Sequence, residues 1–227
     1  MKIIIDLQGA QTESRYRGIG RYSLALANAI AKNPREHEIF IVGNAWLDRK
    51  DPGAFKTFES VLPSRQILEF HTPPRTSFDH ASNRWRSKAA QIIRENFLRG
   101  LDADVVFTSS LFEGGLDDAI TSAGHLQTEA ISSASLYDLI PMADPEKYLA
   151  TPWVKDWYSE KIQSLRKFNQ LLSISEYSKS QAEQLLGIEP KKISNISTAC
   201  DAIFSRRDLD QFEAKNSRLA MASEKSS

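Results

Sequence analysis

Residues 2–43, KIIIDLQGAQTESRYRGIGRYSLALANAIAKNPREHEIFIVG, decide the fold. They open on a run of branched residues, pass through a long polar stretch, and then place Ile19, Tyr22, Leu26, Ala29 and Ile30 three and four positions apart before a second branched run. That pattern predicts a strand over 2–7, an amphipathic helix over 19–32 and a second strand over 38–43, which together make a βαβ unit.

The alternation continues along the chain. Further strands are predicted at 66–70, 103–109, 133–140, 170–175 and 192–198, several of them near-continuous apolar runs suited to burial on both faces. Trp85, Ala89, Ile92, Ile93 and Phe97 mark a helix over 81–99. Thr151 and Pro152 start another, with Val154, Tyr158, Ile162, Leu165 and Phe168 as its buried stripe. Ser175 caps a last helix that Gly187 ends. Segments 44–65 and 111–132 carry no clear crossover element. The expected class is a doubly wound α/β domain with a mostly parallel sheet, Rossmann-like, over 1–204, followed by a linker-like or poorly ordered tail at 205–227.

Composition narrows the function. The chain has 227 residues, 41% hydrophobic, enough for a packed core. Lys plus Arg equals Asp plus Glu at 29 each, so no overall basic field draws it to nucleic acid. The one cysteine, Cys200, rules out an internal disulfide and zinc sites built on cysteine pairs, and His37, His71, His80 and His125 have no metal-ligand spacing. The first apolar run is cut short by Asp6, and no 18-residue apolar span follows. The expected location is the cytoplasm, with attachment at the inner face of a membrane left open. No GxxxxGK[ST], GxSxG or HExxH pattern occurs.

An open parallel sheet binds ligands beyond the carboxyl ends of its strands. After the first strand, Gly18 and Gly20 open a helix, with Arg15, Arg17 and Arg21 around them. Backbone N–H groups there suit a phosphate-sized anion; a tight helix start explains the two glycines equally well. Glu113 follows the fourth strand in a glycine-bearing loop. Tyr137 and Asp138 end the fifth, where Asp138 serves either a ligand hydroxyl or the cap of the next turn. Ser175, Ser178 and Lys179 open the helix after the sixth, and capping accounts for Ser175. Trp153 and Trp157 suit stacking on a sugar or a place in the core. Segment 75–99 holds six Lys/Arg against two Asp/Glu, so the helix over 81–99 reads either as a core-facing helix with a solvated basic face or as a peripheral membrane contact.

Taken in order, RGIGRYS, SSLFEG, LYDLIP with PEKYL, LLSISEYSKSQAEQLLGI and KKISNISTACDAIF resemble the amino-terminal half of glycosyltransferase family 4, in particular mannosyltransferase-like enzymes of bacterial O-antigen and surface-polysaccharide synthesis. The resemblance spans about 1–204 and implies one half of a GT-B fold. It implies that Gly18 and Gly20, with Arg17 and Arg21, lie beside the donor diphosphate. Tyr137 and Asp138 then sit at the catalytic cleft, where many relatives carry His-Asp; Tyr137 replaces that histidine. Ser175, Ser178 and Lys179 face the same cleft, for which Glu113 is a candidate by its place after the fourth strand, and Asp201 and Phe204 mark an interdomain hinge. The implied reaction is metal-free, cofactor-free hexosyl transfer with retention, from a nucleotide sugar such as GDP-mannose to a glycan or lipid-linked acceptor.

The family's second domain carries two glutamates with seven residues between, and no pair in this chain has that spacing. The expectation is therefore an acceptor-binding half that is inactive alone, as a truncated, split or degenerate product, with a second domain supplied in trans in the split case. The alternatives are a non-catalytic α/β module binding a glycan or phosphate ligand, and a split-enzyme subunit.

Overall fold

A computed structural model describes residues 1–50 and 53–199. Residues 1–197 form one compact unit. Its frame is a sheet of seven strands: β1 (Lys2–Asp6), β2 (Glu38–Asn44), β3 (Ile67–Phe70), β4 (Val105–Thr108), β5 (Ile131–Leu136), β6 (Gln170–Ser173) and β7 (Ile193–Asn195). The order is β3-β2-β1-β4-β5-β6-β7, and every neighbouring pair is parallel. From β1 the chain moves outward to β3, crosses back to β4 and then moves the other way. The order therefore reverses between β1 and β4, and this is the switch point where open α/β sheets bind ligands.

The helices are α1 (Gly18–Lys32), α2 (Ala45–Lys50), α3 (Lys56–Glu59), α4 (Arg84–Gly100), α5 (Ile140–Ala143), α6 (Pro145–Tyr148), α7 (Pro152–Lys167) and α8 (Glu176–Leu186). Strand alternation sends Ile5 into one layer with Ile41, Phe58 and Phe107, and sends Ile4 into another with Val42, Phe70 and Leu98. The α7 and α8 side is filled by Leu136, Leu165, Leu171, Leu186 and Ile193.

Two helices turn differently from the expectation. On α1 the buried line is Gly20, Ser23, Ala27 and Ala31, flanked by Leu24, Leu26 and Ile30, because small residues let its backbone close on the sheet. On α4 the buried line is Ser87, Ala90, Arg94 and Leu98, while Trp85, Ile92 and Ile93 are exposed. The helical period is as read, but Arg94 takes the position an apolar stripe would claim.

Strand β5 ends at Leu136 instead of Ile140, since Asp138 accepts from Ile140 N (3.1 Å) and starts the turn into α5. Segment 109–130 contains no helix or strand. Its backbone is paired by side chains instead: Gln8 exchanges two bonds with Ile120 (2.6 and 2.9 Å), and Asp117 accepts from Gly114 N and Ala119 N. The expected hinge residues Asp201 and Phe204 and the tail 205–227 lie outside the described residues.

Candidate active site

Beyond the ends of β1 and β4, two loops meet. The first, 7–17, is polar in composition yet largely packed: Gln8, Gln11 and Thr12 are buried, and two short 3-10 turns (Gln8–Ala10 and Glu13–Tyr16) fold it against α1. The second turn is started by Thr12, whose hydroxyl accepts from Ser14 N.

This packing separates the two glycines that the sequence pairs. A Cβ on Gly20 would lie 2.2 Å from Ser14 O and 2.3 Å from Arg15 Cα, both backbone atoms. Gly20 is thus needed for the chain's own close approach. A Cβ on Gly18 would meet nothing within 4 Å. Arg17 precedes α1 with extended backbone and its side chain does not cap the helix, which leaves the positive end of the helix dipole beside the exposed Gly18. Arg17 and Arg21 are exposed beside them, and Arg15 stacks on Tyr16.

Glu113 joins the two loops from inside. It is 3% exposed, and its carboxylate accepts from Ser110 (2.7 Å), Ser14 (3.0 Å) and Thr12 (3.1 Å). Burial raises its pKa, with the three hydroxyls pulling the other way. Both carboxylate oxygens are used, which makes Glu113 a positioning residue for the loop before α1.

Tyr137 ties the end of β5 to the same assembly. Its hydroxyl lies 2.7 Å from Ser23 Oγ and donates to Ser109 O at 3.0 Å, and its ring packs edge-on against Tyr22. Burial pushes the phenol up to about 12, so it stays a neutral hydrogen-bonding group at physiological pH. Asp138, next in sequence, is exposed.

On β6 and α8, Ser175 caps the helix by accepting from Ser178 N (3.1 Å), and Ser178 is buried against it. Lys179 is partly exposed, its ammonium 3.9 Å from Glu176. The structure therefore brings Gly18, Gly20, Arg17, Arg21, Glu113 and Tyr137 into one region around the start of α1. Asp138 borders it. Ser175, Ser178 and Lys179 form a separate cluster one strand further along the same edge. Trp157 is half-buried, packs on Phe112 and donates to Glu113 O (3.3 Å).

Two buried charges escaped the sequence reading. Arg94 reaches Asp6 at the end of β1 (Nε 2.6 Å, Nη2 2.5 Å), and also Ser122 O and Thr108. Asp6 breaks an apolar run, and that alone signals a buried carboxylate in need of a cation. Lys161 is 6% exposed and donates to Thr121 O and Oγ1, both at 2.7 Å. Among the described residues no His/Cys/Asp/Glu group suits a metal ion, and no helix is long and apolar enough to cross a membrane.

Over 206 residues, 90% of its length, the chain is 30% identical to a serotype-specific mannosyltransferase, WbdA, of Escherichia coli. This chain is homologous to WbdA. A second E. coli WbdA sequence is 25% identical over 181 residues. The chain spans about a quarter of the length of these relatives (24% and 22%). Solved structures similar to it include a glycosyltransferase from Rickettsia africae (TM-score 0.48, 11% identity, 96% of this chain and 49% of that one) and Anabaena HepE in complex with UDP and glucose (TM-score 0.49, 13% identity, 96% and 50%). No family model matches the chain.

Proposed function

We propose that this chain supplies the acceptor-side wall of a retaining hexosyltransferase site of GT-B type, within glycosyltransferase family 4, acting in O-antigen or related polysaccharide synthesis. The observation that carries this reading is the 30% identity to a mannosyltransferase over 90% of the chain. The donor is a nucleotide sugar such as GDP-mannose, and the acceptor a glycan or lipid-linked glycan. In the transfer, the bond from sugar C1 to the diphosphate oxygen breaks, an acceptor oxygen bonds to C1 on the same face, and the acceptor proton passes to the leaving phosphate or to a carboxylate.

Here the uncapped start of α1 offers its N–H groups to the diphosphate, with Gly18 leaving the approach open and Arg17 and Arg21 adding charge. Asp138 receives the acceptor hydroxyl, and Tyr137 holds the β5 end against α1. Ser175, Ser178 and Lys179 border the cleft further along the edge. The remaining donor contacts come from a second domain.

The test is transfer from GDP-mannose to a lipid-linked acceptor. The 227-residue chain alone should give no turnover, and robust turnover would sink the half-site reading. In a protein carrying both halves, Gly18→Val should cut the rate at least ~10-fold with a nearly unchanged melting temperature, since the added side chain crowds the anion while its Cβ enters space with no protein atom within 4 Å. An undiminished rate would remove the diphosphate from this helix.

The outer face of α4 adds a membrane contact to the proposal. Trp85, Ile92 and Ile93 stand exposed there with Lys88 and Arg99, although Arg94 is turned inward and Arg84 pairs with Asp156. Flotation with phosphatidylglycerol vesicles should recover the chain, and Trp85→Ser with Ile92→Ser should abolish recovery; equal recovery on phosphatidylcholine would argue against it.

A further inference from the structure

Away from the switch point, a cleft of about 190 Å3 opens between α4 and α7, floored by the segment 119–121. Lys161 and its acceptor Thr121 both line it. An ammonium has three N–H donors, and Thr121 takes only two of them. Among the described residues no carboxylate comes within ion-pair distance of Lys161. Burying a cation without a direct ion-pair partner is costly, and burial lowers the Lys161 pKa to about 8, with Asp117 and Glu113 opposing at longer range. Around the mouth stand Lys88, Lys167 and His125, against one acid, Glu160. His125 is held in place by Gln91, 2.8 Å from its Nε2. The site thus combines a buried cation fixed on Thr121 with exposed ones at its rim, and its volume suits an oxyanion bearing at most a small substituent.

We infer that the cleft between α4 and α7 is a second anion site, taking a phosphate group, free or on a small ester, onto Lys161 with Lys88 and Lys167 closing over it. The inference is independent of the proposed transferase activity. Thr121 also donates to Leu111 O (2.6 Å), so an anion on Lys161 braces the loop that carries Glu113.

The test is an amide chemical-shift titration of the chain with sodium phosphate, sodium chloride at equal ionic strength, and glycerol 3-phosphate. Saturable shifts are expected at Gly114, Thr121 and His125 with both phosphates but not with chloride, and the tighter of the two identifies the natural source. Lys88→Gln and Lys167→Gln should each weaken binding about fivefold. Lys161→Met, which trades a buried cation for an apolar chain of similar length, should abolish it; if that variant does not fold, the two rim variants decide. Shifts confined to 18–21 would overturn the second site while leaving the α1 reading intact. Shifts that chloride reproduces, or that neither rim variant weakens, would overturn it as well.

Discussion

Gly20→Ala is expected to destabilise the chain severely while leaving a measurable unfolding transition. One methyl group there would be forced to within 2.2 Å of Ser14 O and 2.3 Å of Arg15 Cα, and neither atom belongs to a side chain that can rotate away. Relief requires moving either α1 or the 13–16 turn. The turn is held by Thr12 and Ser14 on Glu113, and α1 by Ser23 on the backbone of Ser109. Overpacking a side chain costs about 1–3 kcal/mol, and a backbone-to-backbone clash in a braced loop should exceed about 3 kcal/mol, a large share of a typical domain's stability. The urea midpoint, followed by circular dichroism, measures this. Gly18→Ala serves as the control, because its added methyl enters open space and loses only chain entropy in the unfolded state, so its midpoint should hold or rise slightly. Equal midpoints for the two variants would show that the loop yields freely and that Gly20 is not a packing requirement.

Arg94→Met should be comparably damaging, for an electrostatic reason. The guanidinium is 1% exposed and meets Asp6, itself 1% exposed, at the centre of the sheet. Removing the cation leaves a buried carboxylate supported, among the described residues, by the backbone and side-chain nitrogens of Gln8. Breaking one half of a buried pair costs about 3–5 kcal/mol, whereas replacing both halves by apolar residues is often neutral. The double variant Asp6→Leu with Arg94→Met should therefore recover much of the loss, and the coupling between the two sites should reach at least about 2 kcal/mol in a double-mutant cycle. Additive losses would mean that Arg94 contributes through its bonds to Ser122 and Thr108 and not through the ion pair.

The strands were legible because a parallel sheet buried on both faces leaves branched runs that little else explains: Ile3, Ile4 and Ile5 feed two opposite layers, as an open-faced strand could not. The α4 stripe was misassigned for a converse reason. Sequence periodicity weights apolar residues, and on this helix the inward line is built around Arg94, while Trp85 and Ile92 point outward. Around the candidate site, the start of α1 was visible as two glycines among arginines. That one glycine is packed and the other open depends on where residues 13–16 fold back.

Local chemistry in the sequence thus determined the alternation of strands and helices and several of their ends: Pro152 in the first turn of α7, Ser175 capping α8, Gly187 closing it in the left-handed conformation. Those signals act within three or four residues, so they can be read along the chain. Tertiary structure alone decided that Glu113 braces Thr12 and Ser14 across about a hundred positions, that Tyr137 reaches Ser23, that Arg94 neutralises Asp6, and that Lys161 is enclosed beside Thr121. Burial of a polar group creates a demand for a partner but does not say where along the chain the partner lies; only the sheet order β3-β2-β1-β4-β5-β6-β7, by bringing distant strand ends to one edge, supplies it.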